Sequence, residues 1–233
     1  MDIPLHEPVA FEDKKLSGTK EIDAPYGFFQ THRWSILLAV LSTLILLDGF
    51  DDRFQWADTI ALWGLSFLFL GVVGATERKT AWRVVMAVPV FAWFVMILVS
   101  EIWGAKVDGS LAVVAAVLLF GSMLISFRQL IGPVHSEYER LSSGIFGYLL
   151  IAMIWGLIYW RIEVANPGAF NLPDDVGQQR APFVYFSMIT MTTVGYGEMT
   201  PAASLPRILT GMQAIVGTMF VAIFIGRIVG RLK

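Results

Sequence analysis

The residues best suited to chemistry in this chain are Thr193-Val194-Gly195-Tyr196-Gly197, and the chemistry they suit is the holding of a dehydrated cation. A cation that leaves water for a narrow path must exchange its hydration shell for other oxygens. Backbone carbonyls supply them when successive residues alternate between left- and right-handed dihedrals, because consecutive carbonyls then point the same way. Glycine enters the left-handed region without steric penalty, and Gly195 and Gly197 have the required spacing. In this arrangement the carbonyls of Thr193, Val194, Gly195 and Tyr196 line the path and the Thr193 hydroxyl adds an oxygen at its inner end. The side chains of Val194 and Tyr196 turn away from the path and pack behind it. One loop cannot surround an ion, so four copies are required.

The elements that must position this loop follow from composition. Of 233 residues, 56% are hydrophobic and only 15% charged, with a mean hydropathy of +0.65, which excludes a soluble domain with a polar surface. A hydrocarbon core of about 30 Å takes roughly 20 helical residues. Six apolar stretches approach that length: Trp34 to Phe50, Trp56 to Ala75, Trp82 to Ser100, Ser110 to Phe127, Ser143 to Trp160 and Leu205 to Val229. A shorter apolar stretch, Ala181 to Met191, cannot cross and is expected to be a re-entrant helix leading into the glycine loop. The expected fold class is therefore an all-α membrane protein with six transmembrane helices, a re-entrant pore helix and a filter.

Four parts are expected. Residues 1–30 mix charges with Pro and Gly and read as a cytoplasmic tail, not a signal peptide. Residues 34–127 hold four spans. Residues 128–142 read as an interfacial linker in which Leu130, Ile131, Val134, Tyr138 and Leu141 form an apolar stripe. Residues 143–233 hold span, re-entrant loop and span. With both termini inside, only Arg53, Lys106, Arg161, Arg180 and Arg207 of the 17 basic residues fall outside, as the positive-inside tendency requires. The glycine loop then lies near the outer face. The segment from Arg161 to Arg180, with Pro167, Gly168, Pro173 and Gly177, reads as an outer turret whose acids Glu163, Asp174 and Asp175 belong to a solvated face. The chain closes at Lys233, so no ligand-binding domain is expected after the last span.

Thr190-Met191-Thr192-Thr193-Val194-Gly195-Tyr196-Gly197 resembles the signature of the tetrameric potassium channel superfamily, and the match is complete over these residues. The context agrees, since an aromatic-rich short helix with Phe183, Tyr185 and Phe186 precedes it and a long apolar span follows. The resemblance implies a homotetramer in the plasma membrane that conducts K+ passively, with K+ ions at Thr193, Val194, Gly195 and Tyr196. Its partners would be its own copies and membrane lipids, with no organic cofactor. It further implies filter support from Tyr185, Phe186, Thr190, Thr192 and Glu198, a gating hinge at Gly217, and an inner constriction at Ile225 or Val229, on a face shared with Thr218 and Ala222. An apolar ring there gates by dewetting. Four positions depart from the family pattern. Tyr185 and Phe186 stand where many relatives have paired tryptophans, Ile189 supplies no acid where some relatives place one, and Glu198 replaces an aspartate.

The fourth span carries no basic residue between Ser110 and Phe127. Moving one charge through the membrane field is worth about 2.3 kcal/mol per 100 mV, so a sensor needs several charges on one helix, and this span is not one. Asp48, Asp51 and Asp52 form a solvated mouth or a cation site, and His135 is a lone histidine of the linker. A net charge of −2 without a basic stripe gives no footprint for nucleic acid. His6, His32 and His135 are scattered and no nucleophile motif occurs, so an enzyme is not expected. The alternatives are a poorly selective cation channel and a nonconducting accessory membrane subunit; a potassium uptake transporter would carry several degenerate pore loops in one chain.

Overall fold

The computed structural model describes residues 32–48, 56–75, 80–103, 108–131, 137–173 and 179–230. Among them are seven α-helices: α1 (Arg33–Asp48), α2 (Trp56–Ala75), α3 (Thr80–Trp103), α4 (Asp108–Ile131), α5 (Glu137–Ala165), α6 (Ala181–Met191) and α7 (Ser204–Val229). Two short strands, β1 (Phe170–Asn171) and β2 (Thr200–Pro201), pair antiparallel, a departure from the purely helical expectation. The tail 1–30, Asp51, Asp52, His135, Asp174 and Asp175 lie outside the described residues.

α5 and α7 are long and apolar enough to cross a membrane, at 29 and 26 residues. At 1.5 Å per residue they extend about 40 Å, beyond a hydrocarbon core of about 30 Å. Their surroundings differ. Half of the most apolar window of α5 is buried inside the chain, against 11% for α7.

The linker expected over 128–142 is shared between two long helices. Residues 128–131 continue α4 and 137–142 open α5, where Glu139 and Arg140 are buried. These helix ends carry polar contacts, while Tyr138 and Leu141 of the expected stripe are exposed. The Glu139 carboxylate accepts from the backbone N–H groups of Trp34 (2.8 Å) and Ser35 (3.3 Å) and from the Ser35 hydroxyl (2.7 Å). It thereby satisfies orphan donors at the start of α1 and sits at the positive end of that helix dipole. The Ser126 hydroxyl of α4 donates to the Ser143 carbonyl of α5.

One apolar core joins α1 to α4 with α5. Trp34, Leu41, Leu68, Trp93, Ile97 and Leu119 are buried in it together with Phe146 and Leu150 of α5. The buried Trp93 indole donates to the Ser66 hydroxyl at 3.0 Å, so α2 and α3 are also joined by a polar bond. The four front helices therefore share one apolar core with α5.

Candidate functional site

The glycine loop begins where α6 stops. Pro182 stands in the first turn of α6, where its missing N–H costs nothing. At the other end Thr192 is still right-handed and Thr193 swings to φ +61°. Gly195 follows at +51° and Gly197 at +91°, whereas Val194 and Tyr196 keep negative φ. Every second residue from 193 to 197 is therefore left-handed, the alternation that points successive carbonyls one way. A β-branched residue in that region is strained, by about 1–2 kcal/mol, and such strain concentrates at functional sites.

The loop is tied to the end of α6. The Ile189 carbonyl accepts the N–H groups of Val194 (2.9 Å) and Gly195 (3.2 Å), and the Thr190 carbonyl accepts that of Thr193 (3.1 Å). The Thr192 hydroxyl donates to the Met188 carbonyl at 2.8 Å, so this side chain caps α6. Thr190 contributes through its backbone, and its side chain is half-buried.

Outside the loop, the Tyr185 hydroxyl donates to Glu198 at 2.5 Å. The carboxylate holds the phenol above its ordinary 10, at about 12. The partner of Glu198, unreadable in sequence, is thus the residue standing at a usual tryptophan position. Phe186 acts elsewhere. It is buried beside Tyr159, Phe170, Phe183 and Ile189, with ring centroids 5.5 Å from Tyr159 and 5.6 Å from Phe170. It holds α6 against α5 and the turret.

Glu163 corrects the solvated reading of the turret acids. It is buried, and its carboxylate accepts the N–H groups of Gly168 (2.7 Å) and Phe170 (2.9 Å). That fold-back delivers β1 to β2, and the Ala169 carbonyl accepts the N–H groups of Ala202 and Ala203. The turret is thereby fastened to the stretch between Gly197 and α7.

α6 is gripped on two sides by backbone approaches that only glycine permits. A Cβ on Gly156 of α5 would lie 2.7 Å from Val184 Cα, and one on Gly217 of α7 would lie 2.4 Å from the Met191 carbonyl oxygen. The same oxygen accepts the Tyr148 hydroxyl at 3.1 Å. Gly217 is thus a point of close approach between α7 and the end of α6. Thr218, Ala222, Ile225 and Val229 lie along an exposed stripe of α7, Ile225 and Val229 each 54% exposed. Val194 and Tyr196 are 51% and 74% exposed, so the described residues of one chain cover their side chains only in part.

Sequence reasoning missed the buried Gln213 of α7, which bonds Ser187 of α6 and Tyr159 of α5. The signal was an amide within an otherwise apolar span, where such groups bond across helices.

Residues 147–233 match the model of a family described as "Ion channel". The chain is 31% identical over 100 residues to "Two-pore potassium channel 4" of Arabidopsis thaliana, covering 42% of this chain and 35% of that protein. It is 30% identical over 98 residues to "Potassium voltage-gated channel subfamily KQT member 4" of Homo sapiens, covering 41% of this chain and 13% of that protein, and equally to the Rattus norvegicus protein of the same name. The chain thus spans about a third or less of the length of these relatives. No solved structure matches it. The family matches point to a channel and not to an enzyme. The glycine loop between α6 and α7 falls within the matched residues, so this part of the chain is similar to an ion-channel family and to potassium channels.

Proposed function

We propose that four copies of this chain surround one axis in the plasma membrane and conduct K+ passively and selectively, each copy crossing the membrane six times with both termini cytoplasmic. The observation that carries the reading is the positive φ at Thr193, Gly195 and Gly197, alternating with negative φ at Val194 and Tyr196. The carbonyls of Thr193, Val194, Gly195 and Tyr196 and the Thr193 hydroxyl are the proposed K+ ligands, and Gly197 closes the ladder. Four loops complete oxygen cages that one loop cannot.

Two further features support assembly. α7 is an apolar helix left largely uncovered by its own chain, and Tyr196 and Val194 keep exposed surface that neighbouring copies would cover. Apolar exposure on this scale marks an interaction surface. The stripe of Thr218, Ala222, Ile225 and Val229 then faces the inner cavity, with Ile225 and Val229 the proposed apolar gate and Gly217 the proposed hinge. The second reading, a poorly selective cation pore, has no specific feature in its favour.

The test is K+ and Na+ flux through purified protein in liposomes, with Gly195→Ala alongside. Selective K+ flux lost in the variant is expected. Equal Na+ flux through the wild type would overturn selectivity, and flux unchanged in the variant would overturn the assignment of the loop.

A further inference from the structure

Gln213 is wholly buried along α7, and nothing in the filter chemistry above makes use of it. Its Nε2 donates to the Ser187 carbonyl (3.0 Å) and lies 2.6 Å from the Ser187 hydroxyl oxygen. Its Oε1 accepts the Tyr159 hydroxyl at 2.8 Å, and the Ser187 hydroxyl donates onward to the Ala152 carbonyl at 2.6 Å. A carbonyl only accepts, so the Ser187 oxygen requires the amino end of the amide and leaves Oε1 for the tyrosine. One run of hydrogen bonds therefore joins α5, α6 and α7 in apolar surroundings, where each unmet donor or acceptor is costly.

The position of this network relative to the loop gives it a role. Ile189, a short step along α6 from Ser187, presents the carbonyl that takes the N–H groups of both Val194 and Gly195. A displacement of Ser187 is carried through rigid helix to that carbonyl, and so to the inner turn of the oxygen ladder. Gly217 lets α7 approach closely but is not directional. The Gln213 bonds are directional and fix the height of α6 along α7.

We propose that Gln213 is a positioning residue for the filter, pinning α6 to α7 through Ser187 so that the ladder keeps the oxygen spacing that favours K+ over Na+. This rests on the channel reading above. The experiment uses the full chain. Melting temperature of the purified protein is compared in K+ and in Na+ solution, and relative K+ to Na+ permeability is measured in vesicles. The variants are Gln213→Met, which keeps volume and removes the amide, and the milder Ser187→Ala. Ser66→Ala, which breaks a buried bond in the front helices, serves as comparison.

Wild type is expected to melt higher in K+ than in Na+. Gln213→Met is expected to lose most of that difference and at least about fivefold in relative K+ permeability, the equilibrium factor for one lost hydrogen bond. Ser187→Ala loses part of both. Ser66→Ala lowers melting equally in the two salts, as a purely structural loss does. A folded Gln213→Met protein with the wild-type salt difference and permeability ratio overturns the proposal; if that variant does not fold, an unchanged Ser187→Ala does so. A wild type without K+ preference in either measurement removes the K+-selective reading on which this proposal rests, and this proposal with it.

Discussion

At the scale of single residues, the contact between Tyr185 and Glu198 gives the sharpest pH prediction. Tyr185 is held protonated by Glu198, with its phenol at about 12 against an ordinary 10. A raised value in the folded state means that the contribution of this bond is fully present below about pH 10 and is lost as pH rises from 10 towards 12. A difference titration of wild type against Tyr185→Phe, followed by phenolate absorbance, should show one tyrosine ionising late; equal curves near 10 would refute the bond. The residue scale is also where sequence was most and least informative. Gly195 and Gly197 announce left-handed backbone, because only glycine adopts it freely. Thr193 shares that conformation and does not announce it, since a β-branched residue is the last expected there and is held by its bond to the Thr190 carbonyl and by its neighbours. Glu163 was misread for a related reason. It stands in the last turn of α5 beside a Pro- and Gly-rich loop, and such a carboxylate looks solvated until the chain folds back and brings two N–H groups to it.

At the scale of elements, the grip on α6 by Gly156 and Gly217 converts into stability. Gly217→Ala places a methyl group 2.4 Å from a backbone oxygen that cannot swing aside, so the helices must separate. The cost is about 1–3 kcal/mol, typical of overpacking. Gly74→Ala on α2 meets nothing within 4 Å and should be neutral or stabilise by up to about 1 kcal/mol through helix propensity. Thermal melting of both variants checks the contrast, and equal shifts would show that the close approach is not limiting. The limits of α6 and α2 were legible because Pro182, the threonines after Met191 and uninterrupted apolar runs mark them in the sequence. The join between α4 and α5 was not. Leu130, Tyr138 and Leu141 follow helical spacing, but the spacing of apolar residues does not say that Glu139 will be drawn inward by the uncapped start of a helix about a hundred positions earlier.

At the scale of the whole molecule, that same carboxylate governs how α1 attaches to α5. Glu139→Ala leaves the N–H groups of Trp34 and Ser35 without their acceptor, Trp34 being buried against Phe146, and should cost about 1–3 kcal/mol. Protection of α1 against hydrogen exchange should fall more than that of α7; an even loss would show that the front helices and the pore unfold as one unit. The attached module has little charge with which to sense voltage. α4 carries its one basic residue, Arg128, in the last turn, at the membrane edge of the proposed topology, and α2 has no basic residue in its last turn. One charge crossing 100 mV is worth about 2.3 kcal/mol, a factor of about fifty in an equilibrium, and steep voltage gating needs several such charges in each subunit. Open probability in planar bilayers should therefore change by less than about tenfold between −100 and +100 mV in symmetrical K+, less than one full gating charge would produce. A steep sigmoid would place gating charge in helices other than α4. A flat relation would leave α1 to α4 to act on the pore by packing alone, through the shared core on α5 and the Glu139 cap that fastens α1 to it.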